Sequence, residues 1–121
     1  TGNLKATIKG VETIDQCIGT ILKEQELLNG ITVITADHGN AEGVIDPITG
    51  LVDKEHSTSP VPFIIVDNER KVIKDESLRV VIDANINPIG ILADVAPTMC
   101  DLLDIAPSPD MTGKSLLADL I

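Results

Sequence analysis

The sequence predicts an α/β fold, a mostly parallel sheet flanked by helices. Three observations carry that reading. A long stretch near the N-terminus repeats its apolar residues every three or four positions, the period of an amphipathic helix. Two short, β-branched apolar runs, 31–35 and 61–66, have the length and composition of strands. Finally, 43% of the 121 residues are hydrophobic but Phe63 is the only aromatic, so a core must rest on Ile, Leu, Val and Ala. Such aliphatic packing suits a parallel sheet covered on both faces. A chain of this length fits one domain that buries roughly two-thirds of its unfolded surface. With no repeat, low-complexity tract or linker in view, a single unit over 1–121 is expected.

The elements follow in order. Leu4, Ile8, Val11, Ile14, Ile18, Ile21 and Leu22 form the apolar stripe of the first helix, with Asn3 as its N-cap and Gly30 as its stop. Lys5, Lys9, Glu12, Asp15, Gln16 and Lys23 make its solvated face. After Gly30 the period changes, and Ile31 to Thr35 reads as a buried strand ended by Gly39 and Asn40. The pairs Asp46-Pro47 and Thr49-Gly50 predict a loop with a tight reversal. Val61 to Val66 is a second strand, confined by Pro60 and Pro62 to a sheet edge or a strand start. Residues 67–91 are the least readable: Asp67 to Arg70 can turn and Arg79 to Ile82 is β-branched, which suggests a short hairpin, but Asn85, Asn87, Pro88 and Gly90 break any long element. A helix resumes in 92–103, with Asp94 as N-cap, Pro97 in the first turn, and Val95, Met99, Leu102 and Leu103 on one face. The tail, Pro107 to Leu117, is a turn leading to a small apolar plug.

Charge narrows the partners. Nine basic against nineteen acidic residues give a net charge of −10, which disfavours nucleic acid and anionic membrane surfaces and favours cations. Cys17 and Cys100 are far apart and outside any Cys-x-x-Cys pair, so they read as buried thiols of a reducing compartment. No stretch nears the roughly 18 unbroken apolar residues that span a bilayer, and no signal pattern opens the chain; a cytoplasmic location is expected.

Three residues stand out chemically. Asp37 and His38 lie at the C-terminal end of the first strand, where open α/β sheets present ligand-binding groups. His56 follows one loop later. A carboxylate and two imidazoles offer oxygen and nitrogen donors suited to Mn²⁺, Mg²⁺, Zn²⁺ or Co²⁺. Three donors are one short of a complete site, and Asp37-His38-Gly39 also fits an ordinary turn with a hydrogen-bonded histidine. Ser57, Thr58 and Ser59 lack the Gly-x-Ser-x-Gly setting of a nucleophile. Gly113-Lys114-Ser115 resembles the end of a phosphate-binding loop, but Ser108 stands where the required glycine belongs, and no strand leads in.

Beyond spacing, four strings carry a family resemblance: Ile34-Thr35-Ala36-Asp37-His38-Gly39-Asn40-Ala41-Glu42, His56-Ser57-Thr58-Ser59-Pro60-Val61-Pro62-Phe63-Ile64, Leu92-Ala93-Asp94-Val95-Ala96-Pro97-Thr98-Met99 and Met111-Thr112-Gly113-Lys114-Ser115-Leu116. Together, in this order and spacing, they resemble the C-terminal part of the cofactor-independent (2,3-bisphosphoglycerate-independent) phosphoglycerate mutases. The similarity runs nearly end to end and is weakest in 43–54 and 67–91.

The resemblance implies a fragment of an alkaline-phosphatase-like domain that holds two divalent metal ions, commonly Mn²⁺, around a serine phosphorylated in turnover. Asp37 and His38 would bind the ion that also contacts that serine, and His56 the other. In that family an Asp-x-x-x-His pair comes just before Thr-Gly-Asn-Leu, and here Thr1-Gly2-Asn3-Leu4 opens the chain. The serine, that pair and an inserted substrate domain are therefore expected upstream, leaving these residues without a nucleophile and inactive alone. The whole enzyme would interconvert 3-phosphoglycerate and 2-phosphoglycerate in glycolysis as a monomer, while the isolated piece would self-associate through an uncovered sheet edge. Two alternatives stay open: another metal-dependent phosphomutase or phosphatase of the same superfamily, or a non-catalytic α/β module.

Overall fold

The computed structural model describes residues 2–45, 48, 50–52, 57–69 and 88–120. By compactness the chain divides into two units, Thr1–Lys71 and Val72–Ile121. The division falls in the stretch that the sequence leaves least readable. The hairpin suggested there, Arg79 to Ile82 included, lies outside the described residues.

The first unit begins with helix α1, Leu4–Leu27. Asn3 caps it as expected, its side-chain oxygen accepting the Ala6 N–H at 3.1 Å. The stop is shared by two residues. Asn29 takes the left-handed conformation, φ 49°, its N–H reaching Glu26 O at 3.3 Å, while the Gly30 N–H reaches back to Gln25 O at 3.1 Å. That pair of bonds is a Schellman closure, with Asn29 supplying the left-handed residue that Gly30 was expected to supply.

Strands β1, Thr32–Thr35, and β2, Phe63–Val66, pair antiparallel from Thr32 opposite Val66 to Thr35 opposite Phe63. The parallel arrangement expected from composition is not the arrangement of this pair, which is the one sheet among the described residues. Parallel strands need a crossover, usually a helix. Between β1 and β2 the described helical structure is a single 3-10 turn, Ala41–Gly43, and the chain returns on itself instead. Gly39 bridges Ser57, and Ile45 bridges Val52, both antiparallel. The described residues of this stretch thus pair as the two arms of an irregular hairpin, with Ile45 and Val52 the last bridged pair and Gly50, φ +67°, between them. From the Thr35–Phe63 pair to the Gly39–Ser57 bridge one arm advances four residues and the other six. The surplus lies at Thr58 to Pro62, where Pro60 and Pro62 lack the N–H a regular ladder requires.

The strands are half-buried rather than buried, and α1 has no buried residue. Its stripe residues Ile8, Val11 and Ile14 are 51%, 54% and 60% exposed. Size accounts for this: a 24-residue helix is about 36 Å long, whereas a four-residue strand extends about 13 Å. Such a sheet cannot cover the helix. Cys17, on α1, is exposed for this reason; in the second unit Cys100 is half-buried, and both are free thiols, so the expectation of two buried thiols fails.

The second unit has a compact centre. A 3-10 turn, Leu92–Asp94, runs directly into helix α2, Val95–Leu102, and a short helix α3, Leu117–Leu120, follows the tail. Asp94 does not cap α2 with its side chain. Its carboxylate turns backward, accepting the Ile91 N–H at 2.8 Å with one oxygen and the Lys114 N–H at 2.8 Å with the other. These two bonds hold its pKa below the ordinary carboxylate value, the Ile91 bond most, and keep it ionised in a buried position. Pro97, Thr98 and Leu102 form the buried face of α2, while Met99 and Leu103 of the expected face are 45% and 61% exposed. The face is rotated because α2 packs on its own tail. The Thr98 hydroxyl donates to Asp94 O at 2.7 Å and accepts the Leu116 N–H at 2.9 Å, seating Leu116 as the plug. Asp104, φ 54°, closes α2 as Asn29 closes α1, with the Ile105 N–H bonded to Cys100 O at 2.9 Å.

Candidate metal centre

Asp37 and His38 sit in the bend that follows β1. Neighbouring side chains on an extended strand point to opposite faces, so it is this bend that brings them together. Asp37 Oδ2 and His38 Nε2 are 3.6 Å apart, with the carboxylate 88% and the imidazole 37% exposed. The second ring nitrogen, Nδ1, lies 3.1 Å from Gly39 O. A carbonyl can only accept, so this contact is a hydrogen bond in the forms of His38 that carry a proton on Nδ1, and the other ring nitrogen, Nε2, is the one that faces Asp37.

A carboxylate oxygen and an imidazole nitrogen at this separation can share either the proton of a charged histidine or a metal cation. Bonds of about 2.1 Å to a tetrahedral divalent ion place two donors about 3.4 Å apart, so a 3.6 Å separation fits such an ion. The backbone bond at Nδ1 is the usual outer partner of a metal-binding histidine. On geometry and donor chemistry, this pair fits a divalent metal.

His56, the third predicted ligand, lies outside the described residues. Among the described residues, no group of three or more His, Cys, Asp and Glu side chains gathers as a metal cluster. Its sequence neighbour, Ser57, is among the described residues. The Ser57 N–H donates to Gly39 O at 2.9 Å, and its hydroxyl donates to Glu42 Oε1 while accepting the Ser59 N–H at 3.2 Å. Glu42 Oε2 takes the Asn40 N–H at 2.9 Å. With both oxygens held in this way, the bond from Ser57 foremost, the Glu42 pKa falls to about 2. Ser57 therefore spends its proton on a carboxylate rather than on a histidine base, in keeping with its exclusion as a nucleophile.

Glu42 was missed as a functional candidate, although it closes the string around Asp37-His38. Besides the local Asn40 N–H, its partner is Ser57, which the bridge with Gly39 brings across and spacing does not show. The phosphate-loop resemblance at Gly113-Lys114-Ser115 is absorbed structurally. A Cβ on Gly113 would lie 2.8 Å from Asp94 N, the Lys114 N–H serves Asp94, and the Ser115 hydroxyl donates to Asp101 Oδ2 at 2.5 Å.

Residues 1–107 match the sequence profile of the Metalloenzyme superfamily, and the chain belongs to that superfamily. This is the alkaline-phosphatase-like class that the sequence strings imply. Within it, the chain is 43% identical over 118 residues to the 2,3-bisphosphoglycerate-independent phosphoglycerate mutase of Picosynechococcus sp., covering 98% of the chain and 22% of that protein. The mutase of Clostridioides difficile is 42% identical over 118 residues, again with 98% of the chain and 21% of the relative covered. That of Pseudomonas putida is 41% identical over 119 residues, with the same 98% and 21% coverage. The chain thus spans about a fifth of the length of the curated relatives it matches. No helix among the described residues is long and apolar enough to cross a membrane.

Proposed function

We propose that this chain supplies part of the divalent-metal centre of a 2,3-bisphosphoglycerate-independent phosphoglycerate mutase, in which 3-phosphoglycerate and 2-phosphoglycerate interconvert through a phosphoserine. The observation that carries the proposal is the convergence of Asp37 Oδ2 and His38 Nε2 at 3.6 Å, with Nδ1 engaged by Gly39 O. It occurs in a chain 41–43% identical to mutases over nearly its whole length. Asp37 and His38 would hold one ion and His56 would contribute to a second, Mn²⁺ being the first choice and Mg²⁺, Co²⁺ or Zn²⁺ the others for this donor set. Bound ions of this kind supply positive charge that lowers the pKa of a nucleophilic hydroxyl and offsets charge on a transferring phosphoryl group.

The chain's own contribution is orientation. β1 and its bend fix the carboxylate and imidazole relative to each other, and the Nδ1–H bond presets the tautomer, so little ordering is left to the moment of binding. The acidic balance fits a protein that holds cations and meets phosphate through them. Remaining ligands, the serine and the phosphoglycerate-binding surface belong to sequence corresponding to the rest of the relatives' length. We place the reaction in glycolysis and the protein in the cytoplasm.

Two measurements test the proposal. Titration of the 121-residue chain with Mn²⁺ should show weak binding that Asp37→Ala weakens further, because an incomplete ligand set binds but loses a donor with the carboxylate. Binding indifferent to that substitution would refute the ligand assignment. Supplied with Mn²⁺ and 3-phosphoglycerate, the same chain should show no mutase turnover; substantial turnover would contradict the view that the nucleophile lies elsewhere.

A further inference from the structure

The Glu42 carboxylate is committed at both oxygens although it lies at the surface, and the metal reading gives it no task. The bonds around it lead to one atom. Gly39 O accepts from His38 Nδ1–H at 3.1 Å and from the Ser57 N–H at 2.9 Å. Ser57 is in turn held by Glu42 through its hydroxyl, and Glu42 is held by the Asn40 N–H at 2.9 Å. Gly39 itself is buried, and a Cβ there would collide with both Glu42 Oε1 and Ser57 Oγ. The two side chains fill the space on that side of the peptide. The direction of the Gly39 carbonyl is therefore set by groups packed against it as well as by the chain.

We infer that Glu42 and Ser57 are positioning residues for His38: by closing over Gly39 they aim its carbonyl at Nδ1, which holds the imidazole in the tautomer whose Nε2 faces Asp37. This rests on the proposed role of Asp37 and His38 as ligands, and adds to it the means by which the nitrogen ligand is prepared. A free neutral imidazole distributes its proton between the two nitrogens, and only the form with Nε2 unprotonated can bind a metal through that atom. Partners of this outer kind alter metal affinity by roughly 10- to 100-fold when removed. The same clasp fixes Ser57, the residue that follows His56 in the sequence, against the strand end that carries Asp37 and His38. One surface carboxylate thereby ties Ser57 to the strand end that carries Asp37 and His38.

The test uses the 121-residue chain with nitrogen-15 in its histidines, of which there are two, so that His56→Gln assigns the spectrum. Imidazole nitrogen shifts report the tautomer directly, and because an imidazole freed by unfolding also shifts toward the form protonated on Nε2, the backbone amide spectrum of β1 must match the parent in each variant for the shift to count. In the parent, His38 is expected mainly with its proton on Nδ1. In Glu42→Ala and in Ser57→Ala the form protonated on Nε2 should become substantial, and Co²⁺ affinity, read from its visible absorption, should fall about tenfold. Glu42→Gln, which retains an oxygen for the Ser57 hydroxyl, should stay nearer the parent. A His38 tautomer unchanged in both alanine variants overturns the inference, whatever the metal does. Asp37→Ala separates the two readings: unaltered Co²⁺ affinity there would remove the ligand assignment, while the tautomer result still decides the positioning role.

Discussion

Replacing Thr98 by valine removes one hydroxyl and preserves the side-chain shape, and the structure assigns that hydroxyl two bonds. It donates to Asp94 O at 2.7 Å and accepts the Leu116 N–H at 2.9 Å, with Thr98 fully buried and Leu116 3% exposed. Valine leaves the Leu116 N–H without an acceptor where water does not reach, a loss of about 1–3 kcal/mol. The gained methyl offsets under about 1 kcal/mol of it. Because that N–H is the docking bond of the tail onto α2, the effect is local and is best read as amide hydrogen exchange at Leu116. Loss of about 1–2 kcal/mol of protection corresponds to exchange about 5- to 30-fold faster. Thr98→Ser, which keeps the hydroxyl, should retain most of the protection despite its missing methyl. If Thr98→Val leaves Leu116 exchange within twofold of the parent while Thr98→Ser accelerates it, the tail is held by apolar packing, and the hydrogen-bond argument is wrong.

Three further outcomes are expected. Glu42, held near a pKa of about 2 against an ordinary 4.5, contributes its clasp fully above pH 4.5 and loses it as pH falls through about 2; its side-chain carbon should titrate correspondingly low by NMR, and Ser57→Ala should move it back toward 4.5. An ordinary midpoint in the parent would remove the Ser57 bond. Asp104→Gly should stabilise the α2 end by about 1 kcal/mol, since it relieves a left-handed aspartate at φ 54° and removes a negative charge from a helix C-terminus, so a lower unfolding midpoint would contradict both causes. Finally, the exposed stripe of α1 should drive self-association: sedimentation of the parent should show oligomers that Ile8→Glu with Ile14→Glu disperses, and a monomeric parent at high concentration would refute the idea.

What the sequence revealed follows the range of the forces involved. Asn3, the α1 span, the strand positions, the reversal near Gly50 and the placement of Pro97 are settled within a few residues by capping, periodicity and proline stereochemistry, and each is found close to where it is expected. The Asp37-His38 pair was legible for the same reason, since one bend after a strand suffices to bring adjacent side chains together. Failures begin where a partner is distant in the chain. Thr98 was passed over in favour of Met99 because an apolar count cannot foresee that Leu116, eighteen residues on, will present an N–H needing an acceptor. Asp94 has the composition of a forward cap, yet its carboxylate is recruited by Lys114 from across the unit. Pairing direction erred because composition reports burial, not the path between strands, and here that path doubles back through the Gly39–Ser57 bridge. Glu42 shows the pattern at the site itself: it is four residues from His38 in sequence, but the partner that gives it a role is fifteen residues away, on the other arm of the hairpin. The candidate ligands of such a centre are thus readable from local chemistry, whereas the groups proposed to aim them are readable only once the fold has chosen which arms meet.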